Sequence, residues 1–147
     1  MSIVKHLNGL KLLPLPKRQS SSKKDYIVTG IFASLIGTYL DLYFVGKGLY
    51  EFPKRPLPEI FTINIGFTIV GLPVSIILLL YFLSRLTKWG RITVILLVSL
   101  LMAVFEKFAE VLGLFQHGDD WKHLYTSLGY LLFLIIITVF FHWLKRK

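Results

Sequence analysis

The chain has 147 residues, of which 54% are hydrophobic and 17% are charged, and its formal net charge is +9. This composition is too apolar for an ordinary soluble domain and indicates a membrane protein. The basic residues lie at the edges of hydrophobic runs and do not form one soluble patch. Their expected partner is therefore anionic lipid headgroups on the cytoplasmic side and not nucleic acid. The sequence contains no cysteine, which excludes disulfides and thiolate metal sites.

Residues 1–25 form a basic N-terminal segment. Residues 2–13 carry apolar side chains at roughly helical spacing, and Pro14 and Pro16 then end the pattern. A short amphipathic helix lying in the headgroup layer and a disordered tail both fit this pattern. Residues 17–24 read as a polar, basic linker.

Residues 26–147 contain four hydrophobic runs, each close to the ~20 residues that a helix needs to cross a ~30 Å hydrocarbon core. They predict one domain, an all-α integral membrane four-helix bundle. Tryptophans lie at span ends, as is typical of interfacial aromatic belts. The predicted spans are 26–46, 60–83, 92–112 and 124–144.

The orientation follows from the distribution of Lys and Arg, which are enriched in cytoplasmic loops. The N-terminal segment, the second loop and the C-terminus together hold 12 of them, whereas the first and third loops hold 4. The sequence therefore predicts that both termini are cytoplasmic and that the first and third loops face outward.

The stretch from Phe105 to Glu110 places two carboxylates and an ammonium near the end of the third hydrophobic run. Ionisable groups at membrane depth are costly and mark candidate functional sites. At about 100° per residue, the polar and small residues of each run share one face. Asp41, Asn64 and Glu106 lie roughly 6 to 9 Å inside the outer boundary at the helical rise, with Glu110 and His123 at the rim. The predicted polar pocket comprises Asp41, Asn64, Glu106, Lys107, Glu110 and His123.

Lys107 is expected to be the counter-charge within this layer, with Asp41 or a loop acid as its partner, because adjacent helical positions point away from each other. Two plainer interpretations stay open. Glu106 and Lys107 fit a buried structural ion-pair arrangement equally well, and Asp41 fits a hydrogen bond to Asn64. The tyrosines, Tyr50 among them, are interpreted as packing and interface residues.

Metal-capable side chains lie between His117 and His123 in the pattern H-x-D-D-x-x-H. This spacing has no helical i,i+4 pair and matches no strong zinc signature, so we expect neither a metal ion nor another cofactor.

Four segments together resemble an uncharacterised family of small four-span membrane proteins from spore-forming Gram-positive bacteria. They are Asp41-Leu42-Tyr43-Phe44 running on to Tyr50, Phe52-Pro53-Lys54-Arg55-Pro56, Phe105-Glu106-Lys107-Phe108-Ala109-Glu110 and Trp121-Lys122-His123-Leu124-Tyr125. The resemblance covers about residues 26–144 and implies four spans in a bacterial plasma membrane. No activity is carried over from the family.

Three functions fit these observations. The first is a small binding or transport component whose outward-facing acidic pocket takes a cation, a proton or a small polar solute. The second is a structural or interaction subunit, acting as a homo-oligomer or with another membrane protein. The third is an intramembrane enzyme that acts on a lipid-linked substrate, with Glu106 or Glu110 and His123 as acid and base groups, but the sequence has no established nucleophile, metal or phosphate-binding motif. We therefore expect a protein that is not an enzyme.

Overall fold

The computed structural model describes residues 21–147, and this part of the chain is mostly helical. Three helices are long and apolar enough to cross a membrane, which identifies a membrane protein. A fourth apolar helix is shorter and starts with a π-helical turn. In chain order the elements are α1 (Lys23–Gly46), β1 (Tyr50–Glu51), the π turn (Phe67–Gly71), α2 (Leu72–Leu83), α3 (Lys88–Val111), β2 (Gln116–His117) and α4 (His123–Leu144).

The predicted helices differ from the observed ones mainly at the second run. That run was expected to be helical from residue 60, but residues 60–64 belong to an irregular loop. Arg55 donates hydrogen bonds to the carbonyl oxygens of Phe52 and Phe61, at 2.7 and 2.6 Å, and so keeps this apolar stretch out of the helix. The predicted amphipathic helix over residues 2–13 lies outside the described residues.

Helix α1 begins with a capping box formed by Ser22 and Asp25. The amide of Lys24 donates to Ser22 Oγ at 3.3 Å, and the amide of Ser22 donates to Asp25 Oδ2 at 3.0 Å. The helix therefore starts at the edge of the basic linker, before its apolar residues begin.

Helices α1 and α3 end in the same way, each with a Schellman motif closed by a glycine at positive φ. In α1, Gly48 has φ +70° and the amide of Leu49 donates to the carbonyl of Phe44 at 3.1 Å. In α3, Gly113 has φ +69° and the amide of Leu114 donates to the carbonyl of Ala109 at 2.9 Å. Each motif turns the chain sharply and leads into one of the two short strands.

Strands β1 and β2 pair antiparallel, with Tyr50 opposite His117 and Glu51 opposite Gln116. The pair joins the loop after α1 to the loop after α3. We call the end of the bundle that carries these strands the sheet end. The last turns of α1 and α3 and the first turn of α4 all lie there, so the sheet fixes the relative positions of side chains from three helices.

The buried core lies between the helices and consists of aliphatic and phenylalanine side chains. Helix α1 packs on the π turn and α2, and α3 packs on α4. Close approach of α1 is possible at Gly37, where an added Cβ would lie 2.3 Å from Leu72 Cδ2. Ser34 Oγ also donates to the carbonyl of Thr68, in the π turn, at 2.6 Å. Many large apolar side chains on the outer surface stay exposed, as expected for helices that face lipid.

At the opposite end, Arg91 connects three helices. Its Nε donates to the carbonyl of Leu83 at 3.0 Å, and its Nη1 lies 3.0 Å from His142 Nε2. Because the Nδ1 of His142 lies 2.7 Å from the carbonyl of Thr138, which can only accept, Nδ1 carries the proton and Nε2 accepts from Arg91. The two ends of the bundle are thus held by different polar networks.

Candidate functional site

All six residues of the predicted polar pocket lie at the sheet end, but they divide into two groups. Asp41, Asn64 and Glu106 line one large cavity between the helices. Lys107, Glu110 and His123 are not among its lining residues and lie at the rim. The predicted pocket is therefore a cavity with a separate rim beside it.

The cavity has a volume of about 610 Å³ and is lined mostly by apolar side chains from all four helices. Ile36, Leu72, Met102 and Phe133 are representative of this lining. The polar side chains in this lining are Asp41, Tyr50, Asn64, Thr68, Glu106, Trp121, Tyr125, Thr126 and Tyr130.

Asp41 projects into the cavity from the last turns of α1 and accepts a 2.6 Å hydrogen bond on Oδ1 from the hydroxyl of Tyr50. Tyr50 is buried in strand β1, with the ring of Phe115 5.0 Å away and that of Trp121 5.6 Å away, centroid to centroid. Burial raises the pKa of Tyr50 well above its usual value, and the negative charge of Asp41 raises it further. Tyr50 is thus a fixed hydrogen-bond donor, and not only the packing residue that the sequence indicated.

Glu106 is held by a chain of donors that starts in the third loop. Trp121 Nε1 donates to Thr126 Oγ1 at 3.0 Å, and the hydroxyl of Thr126 donates to Glu106 Oε2. The other carboxylate oxygen, Oε1, lies 3.3 Å from His123 Nδ1. The Glu106 side chain is only 9% exposed, so both of its oxygens have defined surroundings.

The predicted partner of Lys107 is wrong. Its Nζ pairs with Glu110 Oε2 at 2.9 Å, one turn along the same helix, and its side chain is 62% exposed. The i,i+3 spacing places these two side chains together on the surface of α3. Asp41, the expected partner, is instead engaged by Tyr50.

Asn64 has a local structural task at the start of the shorter helix. Its Oδ1 accepts a 3.1 Å hydrogen bond from the amide of Phe67, the first residue of the π turn. The side-chain bonds of Asn64 and of Asp41 thus go to Phe67 and Tyr50, and not to each other. Asn64 therefore contributes to the cavity wall mainly by fixing where the helix begins.

Where the cavity meets the rim, two histidines and two glutamates come together, namely His117, His123, Glu106 and Glu110. His117 Nε2 lies 3.1 Å from Glu110 Oε1, and the rings of His117 and His123 are 5.0 Å apart, centroid to centroid. Asp119 and Asp120, which share the H-x-D-D-x-x-H pattern with these histidines, are exposed. The sequence analysis grouped His123 with Glu106 and Glu110, but it did not place His117 there, because the pairing of β1 with β2 brings His117 to this position.

A scan against protein-family models, a search of curated proteins and a search of solved structures each found no match for this chain. The function is therefore inferred from the chemistry and geometry of the cavity.

Proposed function

We propose that the chain is a four-span bacterial plasma membrane protein with both termini in the cytoplasm and the sheet end outside. Three helices of spanning length and a shorter apolar helix, Phe67–Leu83, support this topology. The distribution of Lys and Arg supports the orientation. The resemblance to four-span proteins of spore-forming bacteria fits the same arrangement.

The topology is tested with single cysteines, because the chain has none of its own. Ser21→Cys is placed before α1 and Asp119→Cys in the third loop. In intact cells, a membrane-impermeant maleimide should label Asp119→Cys alone, and Ser21→Cys should be labelled only after lysis. Labelling of Ser21→Cys in intact cells would contradict the proposed orientation.

We further propose that the cavity binds a small organic cation with an apolar body. The observation that carries this proposal is an apolar cavity of about 610 Å³ with two carboxylates, Asp41 and Glu106, at one end. Ligand sites are commonly mostly apolar cavities with a few convergent polar groups. The apolar lining favours a ligand of this kind over a bare inorganic ion.

The hydrogen bonds at the sheet end support the same ligand chemistry. Tyr50 occupies Asp41 Oδ1, and a carboxylate has a second oxygen that accepts hydrogen bonds. An ammonium head group is a donor that matches this oxygen, and its apolar body would contact side chains such as Leu72 and Phe133 deeper in the cavity. Binding of this kind serves either a receptor or one step of transport.

The test uses Trp121, which lines the cavity. Trp89→Phe and Trp143→Phe leave it as the sole tryptophan of the chain, which has three. The purified full chain in nanodiscs is titrated with a nitroxide-labelled alkyl amine, and the matched alkyl alcohol and alkyl carboxylate serve as controls. We expect saturable quenching of Trp121 that is strongest with the amine.

Asp41→Asn and Glu106→Gln should each weaken amine binding by roughly 10-fold or more, since a hydrogen bond to a charged group contributes about 1.5–3 kcal/mol. Glu51→Gln, which changes an exposed acid of β1, is the matched control and should leave binding unchanged. Equal binding of amine, alcohol and carboxylate would refute the proposal. If the Asp41 and Glu106 variants lose stability without any change in ligand binding, the alternative of a structural or interaction subunit is favoured.

A further inference from the structure

We propose that Glu106, His117 and His123 bind one divalent transition metal ion at the rim of the sheet end, with Glu110 as a fourth donor. Each of the three residues places one ligand atom within 4.8 Å of the other two. This site goes beyond the proposed function, because neither histidine is among the residues that line the cavity. It also differs from the sequence-based expectation, which considered the histidines with Asp119 and Asp120.

The donor set determines the class of metal. Two imidazole nitrogens and one carboxylate oxygen are a known zinc ligand set, used where a further coordination position is open. Imidazole ligands favour zinc and neighbouring transition metals over magnesium and calcium, which prefer oxygen. Bonds of about 2.0–2.2 Å in a tetrahedral site place the donors about 3.4 Å apart. In the structure the ligand atoms lie within 4.8 Å of one another. Rotation of the His123 side chain, which is 47% exposed, allows them to approach to this shorter distance.

Three different segments position the ligands. Glu106 lies near the end of α3, His117 lies in β2 opposite Tyr50, and His123 is the first residue of α4. Thr126 holds Glu106 by its Oε2, which leaves Oε1 on the side of His123. Metal-ligating carboxylates are typically held by such outer hydrogen bonds, which orient them for the ion.

His117 provides an independent indication of a ligand. Its Nε2 is buried and makes no hydrogen bond within the described residues. The 3.1 Å approach of Glu110 Oε1 has the distance of an ion pair but not hydrogen-bond geometry. A buried nitrogen without a hydrogen bond is unfavourable, and coordination of a metal ion would satisfy it.

The charges around the rim also suit a divalent cation. Glu106 and Glu110 supply two carboxylates, while Lys107 contacts Glu110 through Oε2 and leaves Oε1 towards His117. The exposed side chain of His123 gives the ion a route from solvent. Without a metal ion, the same residues would form only histidine to glutamate ion pairs, and the experiments below separate these two cases.

The first experiment measures zinc bound to the purified full chain by equilibrium dialysis and elemental mass spectrometry, with an affinity tag that contains no histidine. We expect about one Zn²⁺ per chain and little competition from Mg²⁺. His117→Ala and His123→Ala should each weaken binding by roughly 10-fold or more. His142→Ala, at the opposite end of the bundle, is the matched control and should bind like the wild type.

The second experiment needs no substitution and so does not depend on the folding of a variant. Diethyl pyrocarbonate modifies histidines, and Zn²⁺ should protect His117 and His123 but leave modification of His142 unchanged. A third experiment uses a substitution: His123→Cys should retain zinc binding and gain affinity for Cd²⁺, because a thiolate is a softer ligand.

Three results would overturn the metal site. The folded wild type could bind far less than one Zn²⁺ per chain, or His142→Ala could lose zinc while His117→Ala retains it. In the second experiment, Zn²⁺ could fail to protect His117 from diethyl pyrocarbonate. Quenching of Trp121 fluorescence by the nitroxide-labelled amine distinguishes the metal site from the proposed cavity ligand. His117→Ala should leave that quenching unchanged, so loss of zinc binding alone would not affect the proposed cavity ligand.

Discussion

Tyr50 donates a 2.6 Å hydrogen bond to Asp41 Oδ1, and this bond ties strand β1 back to the helix that precedes it. The donor is buried and stays protonated, because burial and the charge of Asp41 both raise its pKa. The bond therefore fixes the position of a cavity carboxylate that would otherwise be free to rotate. It also makes the loop after α1 part of the cavity wall.

The first prediction concerns this bond. Tyr50→Phe should lower the free energy of unfolding by about 1–3 kcal/mol, because it leaves a buried carboxylate without its donor. Adding Asp41→Asn should recover part of the loss, since a neutral amide costs less to bury. Thermal unfolding in detergent, followed by circular dichroism, measures both effects. Tyr43→Phe, at an exposed position of α1, is the control, and equal stability of the two single variants would contradict the prediction.

The second prediction concerns the turn after α1. Gly48 has φ +70°, where a side chain costs about 1–2 kcal/mol, so Gly48→Ala should destabilise the protein by about that amount. Gly46→Ala is the matched control, because a Cβ there meets no atom within 4 Å. Chemical or thermal unfolding of both variants measures the difference. A Gly48→Ala variant as stable as Gly46→Ala would show that the Schellman motif does not define this turn.

The third prediction concerns the contact between α1 and α2. Gly37→Val should destabilise the bundle by about 1–3 kcal/mol, because the added atoms meet the Leu72 side chain. Leu72→Ala in the same chain should relieve the clash and restore part of the stability. Gly129→Val, where a Cβ meets no atom within 4 Å, is the control. If both valine variants unfold at the same temperature, the close approach at Gly37 does not determine the stability of the bundle.

The fourth prediction concerns the loop after β1. Arg55 donates to the carbonyls of Phe52, Phe61 and, at 3.3 Å, Pro58. Lysine lacks the planar fork that makes these bonds together, so Arg55→Lys should raise amide hydrogen exchange across residues 52–66. Arg146→Lys, at an exposed position near the C-terminus, should leave that exchange unchanged. Exchange that stays slow in Arg55→Lys would mean that other contacts hold the loop.

Much of the fold could be predicted from hydrophobicity alone. The long apolar runs predicted three helices that the structure confirms as long enough to cross a membrane, and the four-span topology stays a prediction. The start of the helix at Phe67 was not predictable in this way, because Ile60, Phe61 and Ile63 extend the apolar run ahead of the helix. The hydrogen bond between Asn64 Oδ1 and the Phe67 amide and the contacts of Arg55 stabilise that boundary, and a hydropathy profile reports neither.

The candidate site could be predicted in part, for a related reason. The helical rise placed Asp41, Asn64 and Glu106 at a similar predicted depth, and the structure brings them to one cavity. Tyr50 and His117 were not predicted as site residues, because strands of 2 residues have no measurable periodicity. Their pairing is a contact between distant loops, and it carries both residues to the site. The partner of Lys107 was predicted wrongly because the argument considered the adjacent Glu106 but not Glu110, which is three residues further along the same helix.

The short helix after Asn64 has a consequence for the surrounding lipid. The 5-residue π turn and the 12-residue α2 together cover about 25 Å, against a hydrocarbon thickness of ~30 Å. In the proposed topology this is a hydrophobic mismatch, which a bilayer accommodates by local thinning. Arg55 donates hydrogen bonds to carbonyl groups of the adjoining loop. Non-helical backbone near the hydrocarbon layer is tolerated when its polar groups have such partners. We expect a depression of the outer leaflet beside Phe67, where lipid headgroups come closest to the cavity.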